Sequence, residues 1–345
     1  MKKLIIDLVK KNSIFRWFVR GTYRLVNKIK YCFFKYYYRV DTKLIFFESY
    51  NGKSYSCSPK AIYEKMLTMK EFSNYKFVWA FNNPDNHKIK EDIRSKTVKK
   101  NTYDYYKYFS SSKYWIVNSM IEDFITKKKG QIYVQCWHGT PLKKLRCDIE
   151  TQGSVMNNLK DIKRRNNIDA KRYDYFISSS RFSTEKFLSA FNLVKLKKDN
   201  IIIEKGYPRN DYLFNRSSSD IKNIKHKLGL PNDKKIILYA PTFRDNQHIS
   251  GIGYTYKPEL DFDSLKKRFG EQYIFLYRTH YFIANSFDFN KYKGFIFNVS
   301  NYDDINDLYL ISDIIITDYS SVFFDYAILK KPIIFYMRMN GERGH

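Results

Sequence analysis

Short apolar runs alternate along this chain with polar stretches of helix length. A first set comprises Lys43–Tyr50, Lys76–Phe81, Tyr114–Asn118, Gln131–Trp137, Tyr173–Ser178 and Ile201–Glu204. A second set comprises Lys235–Ala240, Tyr273–Tyr277, Gly294–Val299, Ile314–Ile316 and Ile333–Tyr336. The runs are rich in β-branched and aromatic residues and are nearly continuous, the pattern of strands buried on both faces of a parallel sheet. Helices are predicted between them over Lys60–Met69, behind Ser58-Pro59, from Thr184, and over Phe262–Phe269, Asp303–Leu310 and Val322–Leu329. Lys88–Lys100 reads as a short helix and a strand, and residues 145–172 as a mobile loop or helix. The alternation predicts an α/β chain of two Rossmann-like domains, joined near residues 206–232.

Ligands of such sheets bind beyond the C-terminal strand ends, and there the polar motifs collect. Trp137-His138-Gly139-Thr140-Pro141-Leu142 presents an imidazole on a tight turn, where Gly139 permits close approach and Pro141 can open a helix. A histidine so placed suits a general base, although a structural role is the commoner fate of a lone histidine. Arg209 follows Gly206-Tyr207-Pro208, Pro241-Thr242 ends another strand beside Arg244-Asp245, and Arg278-Thr279-His280 ends a third. Arginine grips phosphate bidentately, and histidine can donate to a phosphoryl oxygen or leaving group. Ser320 and Ser321 stand where the last helix begins, a place for a cap or a bound anion, with Asp325 one turn further in. Together these motifs describe a site for a pyrophosphate-containing ligand. Asp303-Asp304 is better read as a helix cap than as a metal-binding pair. Neither the four cysteines nor the six histidines have metal-ligand spacing, so neither a metal nor a cofactor is expected.

Charge adds a surface to this picture. The formal net charge of +27 over 345 residues favours anionic partners, although a Lys-, Asn- and Ile-rich composition also contributes. No nucleic-acid-binding module is present, so nucleic acid is not an expected partner. Residues 1–40 place Arg16, Arg20, Arg24 and Lys28 at a spacing of four, among Trp17 and a tyrosine- and phenylalanine-rich run. That suits the headgroup layer of an anionic bilayer; the alternative is an amphipathic helix docked on the domain. No run is long and apolar enough to span a bilayer, and no signal peptide is evident. A peripheral protein on the cytoplasmic face of the cell membrane is expected.

WHGTPLK (137–143), GYPRND (206–211), LYAPTFRD (238–245), RTH (278–280) and SDIIITDYSSVFFDY (312–326) occur in that order. This set, spread over residues 40–336, resembles the CDP-glycerol glycerophosphotransferase family of teichoic acid primases and polymerases. The resemblance implies a GT-B-like fold, an acceptor-side domain 41–205 and a donor-binding domain 206–345 facing each other across a cleft, which follow the segment 1–40 expected on its composition to associate with the membrane. It implies glycerol phosphate transfer from CDP-glycerol, or a relative such as CDP-ribitol, to a lipid-linked or polymer acceptor of teichoic acid or capsule synthesis. His138 and His280 are then the catalytic residues, without a metal. Gly139, Thr140, Pro141, Leu142, Arg209, Pro241, Thr242, Arg278, Thr279, Ser320, Ser321 and Asp325 line the donor. Family members look as if they continue past Tyr336 with further elements, so a truncated donor domain is expected here. Alternatives are a GT-B glycosyltransferase using a nucleotide sugar and an inactive, truncated membrane-associated paralogue. Oligomeric state is not indicated.

Overall fold

The computed structural model describes residues 13–150, 159–242, 248–249, 253–254, 260–279 and 287–337. The first sheet contains β1 (Asp41–Glu48), β2 (Lys76–Phe81), β3 (Ser95–Lys99), β4 (Ser112–Val117), β5 (Ile132–Gln135), β6 (Tyr175–Ser178) and β7 (Ile202–Glu204). All its pairings are parallel, in the order β3-β2-β1-β4-β5-β6-β7. The second holds β8 (Lys235–Ala240), β11 (Tyr273–Tyr277), β12 (Ile296–Asn298), β13 (Ile314–Thr317) and β14 (Ile333–Phe335), again all parallel, in the order β12-β11-β8-β13-β14. A small antiparallel pair, β9 (His248–Ile249) and β10 (Gly253–Tyr254), stands apart. The expected α/β fold with parallel sheets is therefore present.

The apolar runs are buried on both faces because successive side chains point to opposite sides. In β1, Leu44 and Phe46 enter one core while Ile45 and Phe47 enter another. In β8, Ile236 and Leu238 enter one core of the second sheet, and Ile237 and Tyr239 its other core. Helices cover these faces: α2 (Cys57–Leu67), α3 (Tyr103–Ser111), α4 (Leu159–Ala170) and α5 (Arg181–Ala190) on the first sheet, and α6 (Asp211–Phe214), α7 (Ser218–Lys227), α8 (Phe262–Phe269), α9 (Ile305–Ile311) and α10 (Val322–Tyr326) on the second.

Several local expectations are corrected. Lys88–Lys100 yields only β3: residues 88–94 form no helix, and at their end the Arg94 guanidinium is anchored on the Leu67, Phe72 and Ser73 carbonyls. Pro141 opens no helix: Leu142 N–H turns back to the Thr140 carbonyl, and the chain stays irregular up to a short turn at Arg146–Asp148. The helix expected over Val322–Leu329 is split into α10 and a 3₁₀ turn, Ala327–Leu329, ended by Lys330 in the left-handed region at φ 54°.

The first described helix, α1 (Ser13–Tyr37), docks on the first sheet. Tyr31 and Phe34 are buried with Tyr105, Tyr106 and Phe109, and Tyr31 Oη donates to the Thr126 carbonyl. Arg24 is ion-paired to Asp123, so it belongs to the docked side and not to an outward cationic stripe. The outward side exposes apolar residues, with Leu25, Ile29 and Phe33 at 58%, 62% and 58%, joined by Phe18 and Tyr36, and Lys28 is exposed as well. The side chains of Arg16, Trp17 and Arg20 lie outside the described residues. No described helix is long and apolar enough to cross a membrane.

Candidate active site

In each sheet the strand order reverses at one place, where adjacent strands send their connections to opposite faces and leave a crevice. In the first sheet that place lies between β1 and β4. Asn118, just past β4, accepts from Tyr50 N–H on Oδ1 (2.7 Å), and its carbonyl oxygen lies 2.7 Å from His138 Nδ1. A carbonyl can only accept, so Nδ1 carries the proton and the Nε2 lone pair is left available. Tyr50 and Trp137 flank the imidazole at ring separations of 5.5 and 4.2 Å. Burial, opposed in part by the Asn118 hydrogen bond, lowers the His138 pKa to about 4, so the ring is neutral near neutral pH. Tyr50 and Trp137 have φ of 46° and 49°. The left-handed region is uncommon for bulky residues, and such strain gathers where a chain must present a side chain in one orientation.

The second crevice lies between β8 and β13. Thr317 Oγ1 donates to the Ala240 carbonyl (2.8 Å), and Thr242 N–H donates to Asp318 Oδ1 (2.7 Å). The Thr242 hydroxyl is buried without a partner among the described residues. Pro241 precedes it, half-buried. Ser321 occupies the position before α10, but its backbone is already helical (φ −69°, ψ −2°) and its side chain makes no cap, contrary to the capping role expected for it. With only five residues, α10 aligns few peptide dipoles, so hydroxyls rather than a helix field distinguish this turn. Arg278 Nη1 donates to the Val299 and Tyr302 carbonyls (3.0 and 2.7 Å), and Thr279 N–H donates to Ser300 Oγ (3.2 Å). His280 lies outside the described residues, as do Arg244 and Asp245.

The two crevices face each other. A Cβ placed on Gly139 would stand 3.0 Å from Ser321 Oγ, so the histidine turn of one sheet meets the serine turn of the other closely enough that a side chain at 139 would press on the serine. Tyr207 Oη donates to the Gly139 carbonyl (2.9 Å). Arg209 is buried and donates through Nε and Nη2 to Asp325 Oδ2 (3.2 and 2.8 Å), and Asn210 Nδ2 reaches Oδ1 of the same carboxylate (3.0 Å). Burial is the largest single influence and disfavours the guanidinium charge, but the Asp325 carboxylate together with Cys57 and Tyr50 outweighs it and holds Arg209 above its usual range. Both Asp325 oxygens are thus engaged by the inter-sheet connection. Lys60–Asp304 (2.7 Å) and His87–Asp303 (3.0 Å) tie the two halves further along, while Asp304 also caps α9 through Asn306 N–H (3.1 Å). Among the described residues no cluster of His, Cys, Asp or Glu could hold a metal ion.

The structure therefore gathers His138, Gly139, Thr140, Arg209, Ser321 and Asp325 around one cleft. Leu142 is exposed and Pro141 buried, both one turn beyond the histidine. Tyr50, Asn118, Tyr207, Asn210 and Asp318 hold these residues in place and were not singled out from sequence. Asn118 and Asp318 end apolar runs, a strand-end signal in themselves, whereas the positive φ of Tyr50 leaves no mark in sequence.

Residues 30–340 match the family described as CDP-glycerol:poly(glycerophosphate) glycerophosphotransferase. The chain is 44% identical over 299 residues to a teichoic acid poly(glycerol phosphate) polymerase of Staphylococcus epidermidis, covering 86% of this chain and 40% of that protein. It is 41% identical over 298 residues to a polymerase of the same description from Bacillus spizizenii, covering 86% of this chain and 74% of that one. The chain thus spans well under half of the first relative and about three quarters of the second. Among solved structures, a histidine-to-asparagine variant of the wall teichoic acid polymerase TagF soaked with CDPG superposes with a TM-score of 0.82 at 40% identity, over 93% of this chain and 78% of that one. With the motifs in order, the two crevices apposed and the match extending over nearly the whole length, this chain belongs to the CDP-glycerol:poly(glycerophosphate) glycerophosphotransferase family.

Proposed function

We propose that this chain transfers glycerol phosphate from CDP-glycerol to a hydroxyl of a polymer or membrane-linked acceptor in teichoic acid synthesis, releasing CMP, across a GT-B-like cleft. The observation that carries this is the pairing of the His138 turn with the Ser321 turn: Nδ1 is committed to the Asn118 carbonyl, which leaves Nε2 as the basic atom, and the next residue, Gly139, meets Ser321 of the other sheet. The acceptor hydroxyl oxygen attacks the phosphorus nearer glycerol. Its proton passes to His138 Nε2, the pyrophosphate P–O bond breaks, and CMP leaves with the electron pair. Ser320, Ser321 and the unpartnered Thr242 hydroxyl hydrogen-bond the donor phosphates, and Arg209, held by Asp325, supplies positive charge across the cleft. Arg278, Thr279, Pro241 and the Gly139–Leu142 turn border the donor. His280, by its motif alone, assists the leaving phosphate. The acidic pair Asp303-Asp304 serves the closure of the cleft, and the mechanism requires no metal. CDP-ribitol is the alternative donor.

The outward apolar face of α1, with its neighbouring lysines, supports a peripheral location on the cytoplasmic membrane face, where a lipid-linked acceptor would be met. His138→Ala tests the chemistry. CMP release in the presence of acceptor should fall by about 10²–10⁴-fold while CDP-glycerol binding is retained. Undiminished turnover would remove His138 from the role of base.

A further inference from the structure

Beside the histidine turn, toward the β6–β7 edge of the first sheet, a cavity of about 520 Å³ opens between the two halves. That lies within the range of about 300–1,000 Å³ of small-ligand sites. Thr140 lies on its wall, but Thr242, Arg278, Ser320 and Ser321 do not. It is therefore continuous with the proposed reaction centre yet separate from the hydroxyls assigned to the donor phosphates.

The chemistry of its wall is mixed in a specific way. Lys205 is exposed there and has no acidic partner among the described residues, so an anion is the complement it lacks. Asn210 is held by its amide nitrogen on Asp325, which leaves its Oδ1 buried without a partner. A buried acceptor of this kind is costly unless a donor reaches it, and an incoming hydroxyl is such a donor. The exposed Asp211 beside it accepts from hydroxyls as well. Phe182, Phe214 and Phe324 complete the rim at 48%, 70% and 36% exposure. Exposed phenyl rings around a polar cavity offer apolar faces to the C–H groups of a hydroxylated carbon skeleton.

We propose that this cavity, resting on the transferase function proposed above, is the acceptor subsite, and that it holds the reactive end of a polyol-phosphate chain with a phosphodiester on Lys205 and a hydroxyl on Asn210 Oδ1. The Thr140 wall then directs the terminal hydroxyl toward His138. Tyr207, which lines the cavity and grips the Gly139 carbonyl, links occupancy of the subsite to the position of the histidine turn.

The test uses the full chain, CDP-glycerol and a synthetic six-unit oligo(glycerol phosphate). Lys205→Ala and Phe214→Ala should each raise the KM for the oligomer, about tenfold for the lysine, with kcat and the KM for CDP-glycerol unchanged. Lys99→Ala, on the far edge strand β3, should change neither. Calorimetric titration of the same oligomer, without donor, should show the same loss of affinity in Lys205→Ala. Equal oligomer affinity in wild type and both variants, within about twofold, would overturn the subsite. Wild-type protein that releases no CMP from CDP-glycerol would instead refute the transferase function, and the titration would still decide whether the cavity takes the oligomer.

Discussion

His138 shows how a single contact decides what a residue can do. Its Nδ1 proton is committed to a backbone carbonyl, so the tautomer is set by the fold and Nε2 remains as base. The lowered pKa has a consequence for pH dependence. A free histidine protonates near 6.5, but His138 does so at about 4, so the acid limb of kcat/KM for CMP release should fall near pH 4. A limb near 6.5 that disappears in His138→Ala would show that the ring is not desolvated in solution. The sign for stability is the same. The folded pKa lies below the unfolded one, so the contribution of His138 is complete above about 6.5 and is lost as pH falls toward about 4.

Among the elements, α1 is the one that separates two surfaces. One side contributes Tyr31 and Phe34 to the first core and an ion pair to Asp123; the other leaves Leu25, Ile29 and Phe33 in solvent. Because these three lie outside the core, Leu25→Asp with Ile29→Asp should leave the thermal midpoint nearly unchanged. The partition coefficient onto phosphatidylglycerol vesicles, read by sedimentation, should nevertheless fall by about 100-fold or more, since each change removes a buried apolar side chain of about 1.5–3 kcal/mol from the bilayer interface. Unchanged sedimentation would show that membrane binding lies elsewhere. A spacing of four cations suggested that charge faces outward, yet Asp123, distant in sequence, draws Arg24 inward.

At the scale of the molecule, the two sheets are joined by buried charge. Arg209, on the connection between the sheets, meets Asp325 of α10, and their side chains are only 5% and 11% exposed. Breaking such a pair leaves an uncompensated buried charge. Asp325→Asn is therefore expected to cost about 3–5 kcal/mol, read as a lower urea midpoint. A midpoint that does not move would mean that solvent reaches the guanidinium. Lys60–Asp304 is nearly as buried and adds to the same closure, while His87–Asp303, whose carboxylate is more exposed, adds less.

Local pattern by itself determined the strands and marked the polar motifs at their ends. Lys76–Phe81, Lys235–Ala240 and Tyr273–Tyr277 are strands with the bounds that their apolar runs predict, because a strand buried on both faces excludes charged residues past its first, less buried position. The strand-end motifs were legible for the same reason: a polar residue directly after a buried run stands at the mouth of the sheet. Periodicity did not reveal α3 or α7, whose short amphipathic segments fall among aromatic or polar neighbours. Only the tertiary structure decided which residues meet. Gly139 and Ser321 are far apart in sequence, and so are Arg209 and Asp325, yet their contacts define the cleft. Such pairings depend on how two separately formed sheets dock, and that is set by the summed complementarity of their surfaces rather than by any local run of residues.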